Sequence, residues 1–116
     1  DSLQSQIKEE NGVDVLLLNT SDLPSDGVKD LAFRFRASNP RICFIGYGKS
    51  EGKVNLTLML GEEIVEKGKD ASKIIREVSK EIKGGGGGQK HFATAGGKDA
   101  SGLEKAVGLI KEIILA

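Results

Sequence analysis

The chain has 116 residues, of which 17 are basic and 17 are acidic, so its formal net charge is zero. The length and the 38% of hydrophobic residues suit one domain with a modest core. The balanced charge argues against a dedicated nucleic-acid binder, which is usually basic overall. Any surface that binds a nucleic acid must therefore be a local patch of positive charge, because the chain as a whole is neutral.

A single cysteine, Cys43, excludes an internal disulfide bond. It lies in the apolar run 42–45, which predicts a buried and inert thiol. The apolar runs are too short to span a membrane, no signal peptide is recognisable, and the chain begins with Asp1 rather than Met. We therefore expect a fragment of a larger cytoplasmic protein with no membrane partner.

The first eleven residues are polar, with Leu3 and Ile7 four positions apart, and Asn11-Gly12 follows as a stop signal. This spacing predicts the end of a helix. We interpret residues 1–11 as the end of an upstream helical segment, with a frayed terminus as the alternative, and residues 12–116 as the globular domain.

Four segments then predict an α/β fold. The run 13–18, apolar except for Asp14, is typical of a strand buried on both faces, and residues 28–35 follow helical spacing. Residues 42–47 and 54–60 predict two strands joined by a tight turn, the second with clear period-two alternation. A helical crossover followed by a hairpin gives one domain with a mixed sheet packed with helices. The predicted core is Val15, Leu17, Leu31, Phe35, Phe44, Leu56, Leu58, Ile75, Val78, Leu103, Val107 and Ile110.

The second half predicts three further helices. The first is short, over residues 62–67, and the second runs over 71–82 with Asp70 as its N-cap. The last helix has two candidate N-caps, Asp99 and Ser101, the latter in a capping-box pattern.

The five consecutive glycines Gly84, Gly85, Gly86, Gly87 and Gly88 are the most informative feature. A structural core does not require such a run, and one glycine would suffice to end the helix. A flexible linker is the alternative. A second pair, Gly96 and Gly97, precedes the last helix, and both sites let backbone N–H groups approach a ligand. Three lysines bracket the segment and predict a site for a phosphate backbone: Lys83, Lys90 and Lys98.

Three arginines are further candidates, because Arg34, Arg36 and Arg76 fall on the solvent side of their helices. His91, the only histidine, either contacts RNA or packs beside the glycines. One histidine and one cysteine do not make a zinc site, and no nucleophile–base pair stands out. We therefore expect no catalysis and no metal or cofactor in this fragment.

Residues 84–103, and above all the stretch ATAGGKDASGL at 93–103, resemble the C-terminal signature of bacterial alanyl-tRNA synthetases. The segment 66–85 is similar to the helix that leads into this signature, and the motif match covers about residues 62–106. The chain departs from the family at 89–92, where an Arg-Pro-Asp-like stretch is common.

The resemblance implies a DHH-associated, tRNA-binding domain. It would hold the outer corner of alanine-accepting tRNA, help to couple aminoacylation with editing, and in some members contribute to a homodimer. The upstream domains would carry catalysis and the use of ATP, Mg and Zn. The residues expected to contact RNA are then Lys83, Gly84 to Gly88, Lys90, His91, Gly96, Gly97 and Lys98, with Arg34, Arg36 and Arg76 as further contributors.

Two alternatives remain open. One is the nucleotide-binding domain of a DHH-family phosphodiesterase, whose glycines are followed directly by histidine, whereas Gln89 and Lys90 intervene here. The other is a dimerisation module, which would need an exposed apolar face.

Overall fold

The computed structural model describes residues 4–116, which form one sheet with helices on both faces. Short 3-10 turns occupy Gln4–Gln6, Ser79–Ile82 and Ala100–Gly102. The strands are β1 (Lys8–Glu10), β2 (Val13–Asn19), β3 (Ile42–Ser50), β4 (Lys53–Leu60), β5 (Gly85–Gly88) and β6 (Phe92–Gly97). The α-helices are α1 (Ser25–Ser38), α2 (Glu62–Glu66), α3 (Ala71–Val78) and α4 (Leu103–Leu115).

The strand order is β1-β2-β3-β4-β6-β5. β2 and β3 are parallel, and every other pair is antiparallel. The predicted mixed sheet is therefore confirmed, with α1 as the crossover between the parallel strands. The β3–β4 turn uses Glu51 and Gly52, both with positive φ (52° and 78°), a geometry that suits a tight hairpin.

Alternating residues of the strands divide the core into two layers. On one face, Leu16, Phe44 and Met59 pack against α1. On the other, residues such as Val15 and Ile45 pack with the apolar sides of α2, α3 and α4. Cys43 is fully buried, as predicted, and burial raises the pKa of its thiol to about 12, which keeps it protonated and unreactive.

Most of the predicted core is buried, but the prediction for Leu17 is wrong. Nine of the twelve residues are buried, whereas Leu31 and Val107 are half-buried and Leu17 is 38% exposed. Leu17 lies beside the first turn of α4 in an open cleft that Tyr47 and Val107 also line, so the helix does not cover it. β2 is therefore not buried on both faces along its whole length.

The helical prediction is also wrong for residues 8–10 of the N-terminal segment, whereas residues 4–6 form a 3-10 turn. Lys8–Glu10 pairs antiparallel with β2 as an edge strand, and Asn11 and Gly12 form the turn with φ of 51° and 79°. Residues 8–10 thus belong to the sheet. Leu3, on which the helical spacing partly depended, lies outside the described residues.

The predicted N-cap of α3 is confirmed, whereas the N-cap residue of α4 is Gly102, with no side-chain hydrogen bond, so the capping box predicted at Ser101 is wrong. Asp70 caps α3, accepting hydrogen bonds from the amides of Ser72 (3.0 Å) and Lys73 (3.3 Å). Asp99 caps the 3-10 turn that leads into α4, accepting from the amide of Ser101 (3.0 Å). The helix predicted over 71–82 ends at Val78 and continues as the 3-10 turn.

Candidate nucleic-acid interface

The glycine run is neither a loop nor a linker. Gly85–Gly88 forms β5, the edge strand of the sheet, and pairs antiparallel with β6. A Cβ atom on Gly84, Gly86 or Gly88 would lie 1.8, 2.2 or 2.4 Å from a backbone oxygen of β6. The expectation that the core does not require these glycines is therefore wrong for three of the five, because every second position has no room for a side chain.

The other two glycines of the run are not constrained in this way. A Cβ atom on Gly85 would meet nothing within 4 Å, and one on Gly87 would meet only the Nε atom of Arg76, at 3.7 Å. Gly96 is likewise open, whereas a Cβ atom on Gly97 would lie 2.2 Å from the backbone oxygen of Ile82. Close backbone packing thus explains Gly97, and open space towards a ligand remains at Gly85 and Gly96.

The three bracketing lysines lie at opposite ends of β5. The amides of Lys98 and Asp99 both donate to the carbonyl of Ile82 (2.9 and 3.0 Å), which brings Lys98 close to Lys83. Lys90 lies in the turn at the other end, and a four-residue strand is about 13 Å long. The lysines therefore do not converge on one phosphate. They border a strip of surface along the edge strand β5. Arg76 lies along the same strip, beside Gly87.

One of these cations, Lys83, lies near an acidic side chain, that of Asp99. Hydrogen bonds from Ser101, followed by the positive charge of Lys83, hold the pKa of Asp99 below its usual value, so Lys83 lies near an ionised carboxylate. The ion pairs found within residues 4–116 involve neither the three bracketing lysines nor Arg76. Those four side chains are exposed and available to phosphates.

The two arginines of α1 differ from each other. Arg34 is exposed, as predicted, but Arg36 is half-buried and its Nε atom donates to the carbonyl of Leu60 (3.2 Å). The prediction that Arg36 faces outward is therefore wrong, since the end of β4 holds its guanidinium in place. Burial, followed by the charge of Arg36, lowers the pKa of His91 below its usual 6.5, so the imidazole is neutral at pH 7.

His91 belongs to a group of three rings that we call the ring cluster: Phe33, His91 and Phe92. The Phe33 and His91 ring centroids are 6.0 Å apart in an edge-on arrangement, and those of Phe33 and Phe92 are 5.3 Å apart. Sequence reasoning missed Phe33. Its only signal is that it lies off the apolar stripe of α1 and yet is aromatic.

A cleft of about 690 Å³ lies beside the ring cluster, on the α1 face of the sheet. Asn55, Thr57 and Thr94 contribute polar groups to it, and Phe92 lines it as well. Its other polar lining residues include Asp26, Lys29 and Lys49. We call it the α1 cleft. The sequence carries no local signal for it, because β3, β4, β6, α1 and the segment before α1 form it together.

The match to a family model covers residues 5–116 and is to the DHHA1 domain. The chain belongs to the DHHA1 domain family. The structure is similar to the C-Ala domain of Aquifex aeolicus alanyl-tRNA synthetase, with a TM-score of 0.84 and 27% identity, covering 95% of this chain and 98% of that one. A DHH-domain protein from a family of ribosomal proteins shares the fold at 11% identity (TM-score 0.70), covering 97% of this chain and 28% of that one.

Curated relatives of this DHHA1 domain include alanine–tRNA ligases. That of Parabacteroides distasonis is 38% identical over 115 residues, and that of Christiangramia forsetii is 42% identical over 107 residues. These alignments cover 98% and 90% of this chain but only 13% and 12% of the relatives. The DHHA1 domain thus corresponds to a small part of each ligase.

The described part of the DHHA1 domain shows no group of three or more His, Cys, Asp or Glu side chains placed to hold a metal ion. Among the same residues, no helix is long and apolar enough to cross a membrane. The residues of the signature instead build backbone contacts. The stretch at 93–103 forms most of β6, the capped 3-10 turn and the start of α4.

Proposed function

We propose that this DHHA1 domain is the non-catalytic C-terminal domain of an alanyl-tRNA synthetase. It binds the outer corner of tRNA and helps to bring the aminoacylation and editing domains onto one tRNA. The observation that carries the proposal is an exposed glycine strand bordered by exposed lysines, in a chain similar to the Aquifex C-Ala domain along almost its whole length.

The edge of β5 gives the RNA backbone a place to approach. An edge strand presents N–H and C=O groups without a strand partner, and exposed glycines carry no side chain that would hold a ligand away. Lys83 and Lys98 at one end, and Lys90 at the other, would neutralise phosphates along this strip. Because no base edges are read there, recognition depends on the shape of the folded RNA more than on its sequence.

The larger protein is proposed to be an ATP-dependent alanine–tRNA ligase of the cytoplasm, and its upstream domains are the partners of this one. ATP, Mg and Zn would serve those upstream domains. Since the chain itself is electrically neutral overall and few phosphates are contacted, its own affinity for tRNA should be modest.

Competition between RNAs tests the proposal. The chain is titrated with intact tRNA and with an unstructured RNA of equal length, at one fixed salt concentration. We expect clear preference for the folded tRNA, and similar affinity for tRNAs that differ in their acceptor sequence. Equal affinity for the folded and the unstructured RNA would contradict recognition by shape.

An exposed apolar patch favours a second candidate, dimerisation. Leu17 is 38% exposed and lines a cleft of about 640 Å³ with Tyr47 and Val107, on the face opposite α1. A second copy that covered this patch would remove apolar surface from water. Sedimentation with and without tRNA separates the two candidates, because a dimer that forms without tRNA and is lost in Leu17→Asp would support the dimerisation module.

A further inference from the structure

We propose that the ring cluster stacks against a nucleobase exposed on the bound RNA, and that the α1 cleft receives the polar edge of that base. This inference rests on the proposed function and names a base-binding subsite within it. The three lysines that border β5 would set the position of the RNA by contacting its phosphates. The ring cluster would add a contact that does not depend on charge.

The exposure of Phe33 is not explained by packing of α1 against the core. Core-facing residues of α1, such as Val28 and Phe35, are 4–5% exposed, whereas Phe33 is 37% exposed. A single exposed ring is ordinary, but Phe33 contacts the half-buried rings of His91 and Phe92, so the three form one aromatic patch at the surface, and such patches serve interactions. Aromatic rings are also the side chains on which nucleobases stack, with little dependence on sequence.

The ring cluster is held in place before any ligand arrives. In the turn that carries His91, the carbonyls of Lys90 and His91 accept hydrogen bonds from the amides of Ala71 and Leu60, each at 2.8 Å. A third bond, from the amide of Gln89 to the carbonyl of Phe92, closes the turn at 2.8 Å. A surface already ordered in this way loses little conformational entropy on binding.

The α1 cleft combines polar groups with apolar surface, as a site for a nucleobase requires. Asn55, Thr57 and Thr94 can donate to and accept from a base edge in the α1 cleft, next to Phe92. Its volume of about 690 Å³ lies within the usual range for small-ligand sites. Lys29 and Lys49 line the same cleft and can face a phosphate, although Asp26, which can accept from a base amino group, lies there too.

The position of the ring cluster relative to the glycine strand β5 indicates where the base comes from. Lys90 directly precedes His91 in the turn, so an RNA backbone that reaches the Lys90 end of β5 is adjacent to the ring cluster. A folded tRNA corner exposes bases that are not buried in a helix. The base is therefore expected to come from the same tRNA that the lysines hold.

Two substitutions of Phe33 test this inference. Phe33→Leu keeps an apolar side chain but removes the aromatic face, and Phe33→Trp keeps a stacking face. Phe33→Trp therefore serves as the matched control for Phe33→Leu, because it keeps an aromatic face at the same position. Each variant is titrated with tRNA over a series of salt concentrations, and its folding is checked by thermal unfolding.

We expect Phe33→Leu to weaken tRNA binding at least about fivefold with an unchanged salt slope, because stacking releases no counterions. Phe33→Trp should bind within about twofold of the wild type, on the same stacking argument. As the chain has no tryptophan of its own, the fluorescence of the new indole should be quenched at saturation.

The base-stacking subsite would be overturned if folded Phe33→Leu bound tRNA with wild-type affinity. It would also be overturned if the fluorescence of Phe33→Trp were not quenched when tRNA is bound. Either result would leave the proposal of tRNA binding standing. A wild-type chain that binds no tRNA would instead overturn the proposed function, and the subsite with it. A reduced salt slope in Phe33→Leu would assign the effect to displaced lysines and would also count against stacking.

Discussion

The carbonyl oxygen of Thr94 lies 2.2 Å from the position that a Cβ atom on Gly86 would occupy. Any side chain there forces β5 away from β6. Gly85, one residue earlier, has nothing within 4 Å of its Cβ position and no positive φ. Two neighbouring glycines of one strand therefore carry different constraints, one from the fold and one from the exposed edge.

The first prediction compares the stability of two alanine variants. Gly86→Ala should lower the free energy of unfolding by about 2–3 kcal/mol or more, as expected for overpacking against backbone that cannot give way. Gly85→Ala should change it by less than about 1 kcal/mol, because an added methyl group has space and alanine restricts the unfolded chain. Urea unfolding followed by circular dichroism measures both. Equal destabilisation would show that the close contact at Gly86 is not the cause.

The second prediction uses Gly85→Ala as a binding probe. If RNA approaches the outer edge of β5, a methyl group at this position should weaken tRNA binding several-fold while leaving the fold intact. Gly108→Ala is a suitable control, because Gly108 is exposed on α4 with nothing within 4 Å of its Cβ position. Unchanged affinity in Gly85→Ala would mean that RNA does not touch this edge.

The third prediction concerns pH. Burial and Arg36 lower the pKa of His91 in the folded chain below its usual 6.5, so the unfolded chain takes up a proton first as the pH falls. The stability that His91 contributes is thus present above about pH 6.5 and is lost below it. His91→Gln should lose less stability than the wild type between about pH 7.5 and 5.5. Because His91 is the only histidine, parallel stability curves for the two proteins would contradict this assignment.

The first half of the fold was predictable because its apolar side chains follow the alternation of strands and the spacing of helices. The alternation at 54–60 and the apolar runs before it give β2, β3 and β4, and Asp70 marks the start of α3. β5 and β6 were not predicted, because glycine has a low preference for strands and provides no alternation to read. Backbone packing against neighbouring elements decides their conformation.

The candidate site was predictable only in part, for a similar reason. Lysines near a glycine run can be identified by their spacing, although their placement at opposite ends of β5 depends on the hairpin. Phe33 and the α1 cleft depend on how α1 meets the β5–β6 turn, which is a tertiary contact. The exposure of Leu17 likewise depends on where α4 begins, and no pattern within β2 reports it.

The most direct test of the central claim is the salt dependence of tRNA binding in a triple variant, Lys83→Ala with Lys90→Ala and Lys98→Ala. The control replaces Lys8 and Lys67, two exposed lysines outside the β5–β6 hairpin and its ends, with Lys8 in the strand at the far edge of the sheet. We expect the triple variant to fold normally and to bind tRNA more weakly, with a salt slope reduced by about three units, one for each lost phosphate contact. The control should keep the wild-type slope. A folded triple variant with unchanged affinity and slope would contradict the placement of the RNA along β5.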